Sequence, residues 1–344
     1  MNLPSHLART PRRLDVVRET VHSRDLVALP CYEIDVDGRT LRFSAPERDK
    51  MSYARVATIF GKEPTTIPYL ETFSKDDVFL DIGANVGMYT VYAAVMTGCR
   101  VFSVEPEALN YAELNKNIYL NNLHGQVTAF CAAASNERKI GELLLGAFAA
   151  GYSHHDFGEN TWTKDMQWTS EVRVNRDERI TQGCISVTID SLVESGVVPI
   201  PTHVKIDVDG LEPKVVEGAM KTFRDPRVKT VLIEVDFRSE ATQSIVKTMT
   251  EDGWSYSMDQ LITNRAIVMK PERVRELMEI KKDGFNFIFY RDQAYGELFR
   301  QFLAKYDPPY KVGGGMKTMP NLITSEPPPP PSSWPAKAWS RIRK

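Results

Sequence analysis

The stretch VFLDIGANVGMYT, residues 78–90, contains the features that decide the fold of this chain. An apolar run ends in Asp81, two glycines follow at Gly83 and Gly87 with Asn85 between them, and a helix-forming sequence comes next. A turn between a strand and a helix explains one glycine, because glycine tolerates positive φ. The turn alone does not explain the acid and the second glycine.

The composition of the chain narrows its class. It has 344 residues, of which 42% are hydrophobic and 26% are charged, as is typical of a globular, soluble protein. The 43 basic and 45 acidic residues give a net charge of -2, so the body of the chain lacks the positive surface that nucleic-acid binding requires. We therefore expect no nucleic-acid partner.

The cysteines and the amino terminus bear on the cellular compartment. Cys31, Cys99, Cys131 and Cys184 form no CxxC pair, so we expect neither a zinc site nor a disulfide framework. The amino terminus has no apolar core like that of a signal peptide, and no apolar run reaches the about 18 residues that a membrane span needs. The sequence predicts a cytoplasmic protein without a transmembrane segment.

The chain divides into three predicted parts. Residues 1–50 form a lead-in, in which helix-like sequence (LDVVRETVHSRDLVAL) precedes a predicted hairpin, YEIDVDGRTLRFS, whose turn is Asp37 and Gly38. Residues 51–306 are expected to form the main domain. Residues 307–344 contain GGG and PPPPP, and they are predicted to be a disordered, linker-like tail.

Apolar strands and helices alternate through the main domain. The predicted strands are VFLDI, RVFSV, VTAFCA, HVKIDV and TVLIEV, and helical sequences such as ALNYAELNKNIYL and EPKVVEGAMKTF lie between them. Strands that are apolar throughout and separated by helices indicate an α/β fold, with a parallel sheet covered on both faces. The last run, FNFIFY, has no crossover helix after it, so we expect this strand to be antiparallel.

A ligand is expected at the carboxyl ends of these strands. In a parallel α/β sheet, ligands bind beyond these ends, where the start of a helix offers free amide groups. Glu105 stands at the tip of the second strand, 18 residues after Gly87, where a carboxylate can accept both hydroxyls of a ribose. Singly, each glycine could serve only a turn and Glu105 could serve only a helix start. Together they indicate a nucleoside-containing ligand.

The spacing of the motif distinguishes between nucleoside cofactors. A nicotinamide-dinucleotide fingerprint has G-x-G-x-x-G, but this chain has G-A-N-V-G, with Asn85 at the second glycine position. A phosphate-binding loop would have a lysine and a hydroxyl, and neither follows Gly87. Asp81 would repel a pyrophosphate but suits an ammonium group. The sequence therefore favours S-adenosylmethionine, which carries an ammonium, a sulfonium and a ribose.

Several motifs in order resemble one known family. VFLDIGANVGMYT, VEPEALNYAELNKNIYLNN and HVKIDVDGLEPKVVEGA followed by VLIEVD resemble the FkbM family of S-adenosylmethionine-dependent methyltransferases. The resemblance covers residues 50–291 and includes the upstream RVATIFGKEPTT. It implies a Rossmann-like, seven-stranded methyltransferase sheet with an antiparallel last strand, and an acceptor hydroxyl on a sugar, a glycan or a natural product. One departure is Asp209, where the family usually has glutamate.

Roles for individual residues follow from these motifs. We expect the cofactor to be held by Asp81, Gly83, Asn85, Gly87, Glu105 and Ala133, the last lying near the adenine ring. Lys205 and Asp207 alternate with apolar residues, so both should point to the face that carries the site. The alternative is an ion pair at a strand end. Glu212 could merely favour the start of the next helix.

A base that takes the hydroxyl proton would assist methyl transfer. Asp207 is the first candidate for this base or for a group that orients the acceptor. His154 and its neighbour His155, in GYSHHDFGENTW, are the second candidates, although paired histidines on a polar loop can be simply solvated. A metal site from these histidines and Asp156 is not expected, because adjacent ligands point in different directions.

The acceptor is expected near residues 146–175, which interrupt the alternation with a connection much longer than the usual length of about 2 to 6 residues. Long loops over strand ends often bind substrates. Aromatic residues with polar neighbours suit a polyhydroxylated acceptor, although they could also only pack the loop onto the body. The aromatic residues are Tyr152, Phe157, Trp162 and Trp168.

Two other classes of function stay open on sequence alone. One is a Rossmann-like oxidoreductase, against which Asn85 argues. The other is a non-catalytic binding protein whose tail, PPPPPSSWPAKAWSRIRK, docks on a partner as a polyproline II segment. The same tail carries tryptophans beside basic residues and could make weak contact with an anionic membrane surface.

Overall fold

The computed structural model describes residues 18–24, 27–45, 50–60, 62–63, 65–158, 180–261, 263–264, 267–268, 271–280 and 284–304. The predicted tail, residues 307–344, and the first 17 residues of the lead-in lie outside this described part. Among the described residues, no helix has the length and apolar character needed to cross a membrane.

The described residues form fifteen strands. They are β1 (Arg18–Arg24), β2 (Val27–Val36), β3 (Arg39–Ser44), β4 (Val78–Ile82), β5 (Arg100–Val104), β6 (Val127–Phe130), β7 (Ala133–Ala134), β8 (Ile140–Leu145), β9 (Asp156–Phe157), β10 (Ile180–Val187), β11 (His203–Ile206), β12 (Thr230–Asp236), β13 (Thr263–Asn264), β14 (Ile267–Val268) and β15 (Gly284–Tyr290).

Ten α-helices connect or flank these strands in the described part of the chain. They are α1 (Lys50–Ala57), α2 (Thr66–Leu70), α3 (Met88–Thr97), α4 (Ala108–Leu120), α5 (Ile189–Glu194), α6 (Glu212–Glu217), α7 (Met220–Phe223), α8 (Glu240–Glu251), α9 (Pro271–Glu279) and α10 (Gln293–Ala304). A short 3-10 helix lies at Met258–Leu261.

The main sheet has the strand order β15-β12-β11-β4-β5-β6. Its five strands from β12 to β6 are parallel, and β15, the run FNFIFY, pairs antiparallel to β12. Successive residues of a strand face opposite sides of the sheet. In β4, Phe79 accordingly packs into one buried apolar cluster, whereas Leu80 and Ile82 pack into the other. Both faces of the sheet are therefore covered, as the apolar strands predict.

The number of strands in the main sheet differs from the prediction. The resemblance implies seven strands, but the described residues contribute six. Residues that precede β15 in the sequence contact its outer edge instead. The side-chain amide of Gln260 accepts from Ile288 N at 3.1 Å and donates to Ile288 O at 3.2 Å, and Ser255 forms an isolated bridge with Tyr290. These contacts occupy backbone groups that a seventh strand would use.

The lead-in is also different from its prediction in one part. The helix-like RETVHSR is the strand β1, which pairs antiparallel with β2 from Arg18↔Glu33 to Arg24↔Val27. Backbone pairing along the edge of β2 overrides the weak helical preference of a segment that contains the β-branched Thr20 and Val21. The hairpin around Asp37 and Gly38 is formed by β2 and β3, and both turn residues have positive φ.

A second, smaller sheet was not predicted from the sequence. Its order is β7-β10-β8-β9, and it is built from residues between 133 and 187. One face of this second sheet buries a small apolar cluster that reaches Leu211 and Val208, in the connection after β11. The second sheet therefore stands beside the carboxyl ends of the main-sheet strands. Its members in that cluster are Ala133, Leu143, Leu145, Phe157 and Cys184.

Candidate active site

The candidate site lies at the carboxyl ends of β4, β5, β11 and β12. Since these strands are neighbours and parallel, the residues that follow them come together at one edge of the sheet. The register places Asp81 of β4 beside Lys205 of β11 on one side and beside Ser103 of β5 on the other. Residues far apart in the sequence thus meet at one place.

Asp81 is buried at the end of β4 with one oxygen satisfied. Thr90 Oγ1 donates to Asp81 Oδ2 at 2.6 Å and lies 2.7 Å from Ser103 Oγ. The other oxygen, Oδ1, has no hydrogen-bond partner among the described residues. Burial raises the pKa of Asp81, although the charge of Lys205 and the bond from Thr90 act in the opposite direction. An incoming positively charged donor would pair with Oδ1 and stabilise the carboxylate.

The packing of the protein itself explains why the opening motif has glycine at positions 83 and 87. Gly83 and Gly87 have φ values of +79° and +81°. A Cβ atom on Gly83 would lie 1.8 Å from Asp207 O, and one on Gly87 would lie 2.3 Å from Leu114 Cδ1. The sequence predicts a close ligand approach at these glycines, whereas both Cβ positions are filled by protein atoms. Gly83 lets the loops after β4 and β11 touch, and Gly87 lets α4 pack against the start of α3.

Glu105 is a buried carboxylate at the tip of β5. It accepts hydrogen bonds from Asn85 N at 2.8 Å, from Glu107 N at 3.0 Å and from Asn110 Nδ2 at 3.4 Å. Burial raises the pKa of Glu105 to about 7, and these hydrogen bonds limit the rise. Asn85 adopts a positive φ of 53°, which turns its amide toward the acid. The loop after β4 and the tip of β5 are thereby joined.

Glu212 has a more specific position than a helix-start preference requires. It is buried at the first residue of α6 and accepts from Val208 N at 3.0 Å and from Gly210 N at 3.0 Å. The carboxylate therefore holds the turn that follows Asp207. Burial raises the pKa of Glu212 to about 7, against the effect of these backbone donors.

The raised pKa of Glu212 gives a testable pH dependence. Because the folded state holds this proton more tightly than the unfolded state, stability is expected to fall as pH rises from about 4.5 to about 7. Glu212→Gln removes the titrating group but keeps an acceptor oxygen, so its unfolding free energy should fall less over this range. Urea unfolding of both proteins between pH 5 and pH 8 measures the difference. Parallel curves would show that Glu212 does not titrate in this range.

Lys205 and Asp207 form a close ion pair. Lys205 Nζ donates to Asp207 Oδ2 at 2.7 Å and lies 5.2 Å from the centre of the Tyr89 ring. Burial alone would lower the pKa of Lys205, but Asp207, Glu63 and Asp81 raise it above its ordinary value. Burial alone would raise the pKa of Asp207, but Lys205 holds it well below its ordinary value. Both groups are thus charged near neutral pH, which makes Asp207 a weak base.

Two further carboxylates were not assigned from the sequence. Glu234, near the end of β12, lies close to Asp207, and its pKa is raised well above the ordinary value by burial and by nearby acids. Glu63 is among those acids and accepts from Thr66 Oγ1 at 2.9 Å. A charged residue inside the apolar run TVLIEV is a signal that could have identified Glu234.

His154 makes two polar contacts with Asp209. Its backbone N donates to Asp209 Oδ2 at 2.7 Å, and its ring Nδ1 lies 2.9 Å from Asp209 Oδ1. Burial alone would raise the pKa of Asp209, but His154 lowers it below the ordinary value, so the acid is ionised near neutral pH. Both residues have positive φ, 67° for His154 and 56° for Asp209. Such conformations cost energy in residues other than glycine and often mark functional sites.

Residues 151–155, which we call the strap, lie across the site. Tyr152 O accepts from Asn85 Nδ2 at 2.8 Å and from Asn110 Nδ2 at 3.0 Å. Arg55 Nε donates to Gly151 O at 2.9 Å. With the His154 contact to Asp209, the strap joins the loop after β4, the first turn of α4 and the loop after β11. Residues 151–155 of the predicted acceptor segment are therefore at the site, whereas Phe157 packs in the apolar cluster of the second sheet. Residues 159–175, with Trp162 and Trp168, lie outside the described residues.

The remaining predicted residues occupy less central positions. His155 accepts a long hydrogen bond of 3.4 Å from Gly146 N and contacts the edge of the Tyr152 ring, and burial lowers its pKa. Asp156 is buried in β9, and no group of three or more metal-ligating acids, histidines or cysteines occurs in the described part of the chain. Ala133 lies in β7 and packs in the second sheet's cluster with Val208. Its place near an adenine ring stays a prediction.

Comparisons with known proteins give one relative by sequence. The chain is 25% identical over 232 residues to the hexuronic acid methyltransferase AglP of Haloferax volcanii, with 64% of this chain and 84% of the relative covered. At this identity the match alone does not transfer an acceptor to this chain.

Solved structures give more distant likenesses. A methyltransferase FkbM from Methylobacillus flagellatus is 13% identical with a TM-score of 0.39, over 70% of this chain and 52% of that one. This chain therefore spans about half the length of that solved chain. An O-methyltransferase from Bacillus cereus is 14% identical with a TM-score of 0.39, over 70% of this chain and 89% of that one.

The family itself is shown by a sequence model. The model of the methyltransferase FkbM domain matches residues 81–285, which is more than half of the chain. The match begins at Asp81, inside β4, and ends at Phe285, inside β15, so it contains β5, β6, β11 and β12 in full and the strand-end residues Asp81, Glu105, Lys205, Asp207 and Glu234. The chain therefore belongs to the FkbM family of methyltransferases.

Proposed function

We propose that this protein transfers a methyl group from S-adenosylmethionine to a hydroxyl of a sugar, a glycan or a natural product. The observation that carries the proposal is a pair of buried carboxylates at neighbouring strand tips. Asp81 keeps an oxygen without a described partner, and Glu105 stands at the next tip along the sheet. The family match favours methyl transfer, and the relative from Haloferax volcanii is named for a sugar acid.

The residues at the strand tips fit this cofactor. Asp81 Oδ1 would accept from the ammonium group of S-adenosylmethionine, since a buried acceptor without a partner costs free energy. In its ionised form Glu105 offers about four acceptor positions, of which three are used by protein donors, and this leaves capacity for a ribose hydroxyl. When bound, the cofactor supplies a methyl carbon that its sulfonium makes electrophilic.

The acceptor side is proposed to use His154 as the base. Asp207 is the less suitable base because Lys205 keeps it ionised and its affinity for a proton low. The ionised Asp209 holds the imidazole of His154 through Nδ1, so it can stabilise the ring when the ring gains a proton. Lys205 and Asp207 would then orient the acceptor hydroxyl. Orientation of this kind can lower a barrier by on the order of 7 to 11 kcal/mol.

Neither alternative function is carried further. The family match is to methyltransferases, which replaces the oxidoreductase hypothesis. The tail on which a docking or membrane-contact role would depend lies outside the described residues.

Saccharides and natural products tested with methyl-labelled S-adenosylmethionine would identify the acceptor. Absence of any S-adenosylmethionine binding would overturn the proposal at its first step.

The cofactor assignment gives a quantitative prediction for Glu105→Ala. We expect the affinity for S-adenosylmethionine to fall by about 10- to 150-fold, because a hydrogen bond to a charged group contributes roughly 1.5 to 3 kcal/mol. Isothermal titration calorimetry measures this change. Glu113→Ala is a matched control, since Glu113 is equally buried but lies within α4, away from the strand tips. Equal affinity in wild type and Glu105→Ala would remove Glu105 from the cofactor site.

A further inference from the structure

Asn110 is a buried polar residue that none of the proposed roles uses. It lies in the first turn of α4, where its own backbone N donates to the capping residue Glu107 at 2.7 Å. Its side chain is fully buried. A buried amide is costly unless it is hydrogen-bonded. The contacts of this side chain therefore need an explanation.

The side chain of Asn110 contacts two different parts of the site. Its Nδ2 donates to Glu105 Oε1 at 3.4 Å and to Tyr152 O at 3.0 Å. Its Oδ1 accepts from Gly151 N at 2.7 Å. One amide group thus touches the proposed ribose acid on one side and two consecutive residues of the strap on the other.

Asn85 repeats this arrangement from the opposite side. Its backbone N donates to Glu105 Oε2, and its side-chain Nδ2 donates to Tyr152 O. Both oxygens of Glu105 and the carbonyl of Tyr152 are therefore held by the same two asparagines. Two residues beyond Tyr152, the strap presents His154 to Asp209. Hydrogen bonds therefore connect the proposed cofactor acid to Tyr152, and two residues of backbone connect Tyr152 to the proposed base, His154.

We propose that Asn110 is a positioning residue that couples cofactor binding at Glu105 to the placement of the strap. This inference rests on the proposed function, because it takes Glu105 as part of the cofactor site. A ligand that engages Glu105 fixes its side chain, Asn110 transmits that restraint to Gly151 and Tyr152, and the strap holds His154 in place. By linkage, whatever orders the strap also favours the cofactor.

Asn117 provides a matched control on the same helix. It lies seven residues after Asn110, so both side chains emerge from the same face of α4, and it is also buried. Its Nδ2 donates to Val86 O at 2.6 Å and its Oδ1 accepts from Ser44 N at 2.6 Å. Asn117 therefore shares the burial and the bonding of Asn110, but its bonds go to β3 and to the loop after β4 instead of the strap.

The test is hydrogen exchange with S-adenosylhomocysteine as the probe, which needs no acceptor. In the wild type, we expect the ligand to slow exchange at least tenfold in residues 83–87 and in the strap. In Asn110→Ser, protection of residues 83–87 should remain and protection of the strap should be lost. In Asn117→Ser, both should remain. Asn110→Ala, which removes the amide without adding a charge, replaces Asn110→Ser if the serine variant does not fold.

The outcomes distinguish a failure of the proposed coupling from a failure of the proposed function. If the wild type binds no S-adenosylhomocysteine, the proposed function fails, and the coupling fails with it. If the ligand binds but protects only residues 83–87 in the wild type, the coupling is overturned and the cofactor assignment stands. If Asn110→Ser and Asn117→Ser lose strap protection equally, Asn110 has only the structural role of any buried asparagine on α4.

Discussion

Replacing His154 with alanine is expected to lower kcat by about 100- to 10,000-fold, the usual contribution of a positioned general base. Affinity for S-adenosylmethionine should stay close to that of the wild type, because the strap keeps its bonds to Asn85, Asn110 and Arg55 through residues 151 and 152. Steady-state kinetics with a saturating acceptor, together with calorimetric titration of the cofactor, measure both quantities on the same folded variant.

His155→Ala is the matched control for this experiment. The same ring is removed from the next residue of the strap, but His155 has no bond to Asp209 among the described contacts, and its hydrogen bond from Gly146 N is long, at 3.4 Å. We expect kcat to change by less than about tenfold in this variant. Equal losses in the two variants would mean that the strap needs both rings for its packing, and His154 would lose its assignment as the base.

Gly83→Ala is expected to be the most damaging small substitution in the loop after β4. The new Cβ would lie 1.8 Å from Asp207 O, a backbone atom that cannot move aside without shifting the loop after β11. Gly98→Ala is the control, since Gly98 has the same φ of +79° but its Cβ would meet only Lys75 Cβ at 3.6 Å. The positive φ costs each variant about 1 to 2 kcal/mol.

The difference between the two glycine variants isolates the steric term. Gly83→Ala should lose a further 1 to 3 kcal/mol or more, roughly the cost of overpacking a closed interior. Urea unfolding with a shared slope measures the two losses. Similar losses would show that the loops after β4 and β11 can separate easily, and that Gly83 is needed only for its backbone conformation.

The strands and helices around the candidate site could be predicted from the sequence for a physical reason. The strands β4 and β5 are apolar runs bounded by glycine or charged residues, and the whole of ALNYAELNKNIYL forms α4. Once the strands are known to be parallel and adjacent, Asp81 and Glu105 must lie at one edge of the sheet. Local pattern and topology together were therefore sufficient to place Asp81 and Glu105, the two proposed cofactor residues, at the same edge of the sheet.

Other parts depend on contacts that a local pattern does not contain. β7 and β9 have two residues each, too few to show a period, and they exist because they pair with β10 and β8. The sequence of β1 favours a helix, and the segment is a strand because it pairs with β2. The bond between His154 and Asp209 joins residues that are 55 positions apart, and the sequence around either residue contains no pattern that predicts the contact. These features follow from tertiary packing.

The Gln260 amide at the outer edge of β15 has a consequence for self-association. The strand FNFIFY is apolar and rich in β-forming residues, and an open edge of that kind is a template for pairing with another chain. On this edge, the backbone groups of Ile288 are taken by Gln260, and those of Tyr290 are taken by Ser255. A strand from a second molecule would have to displace both before it could add to the sheet, so a buried side-chain amide protects this protein against aggregation at its most β-prone segment.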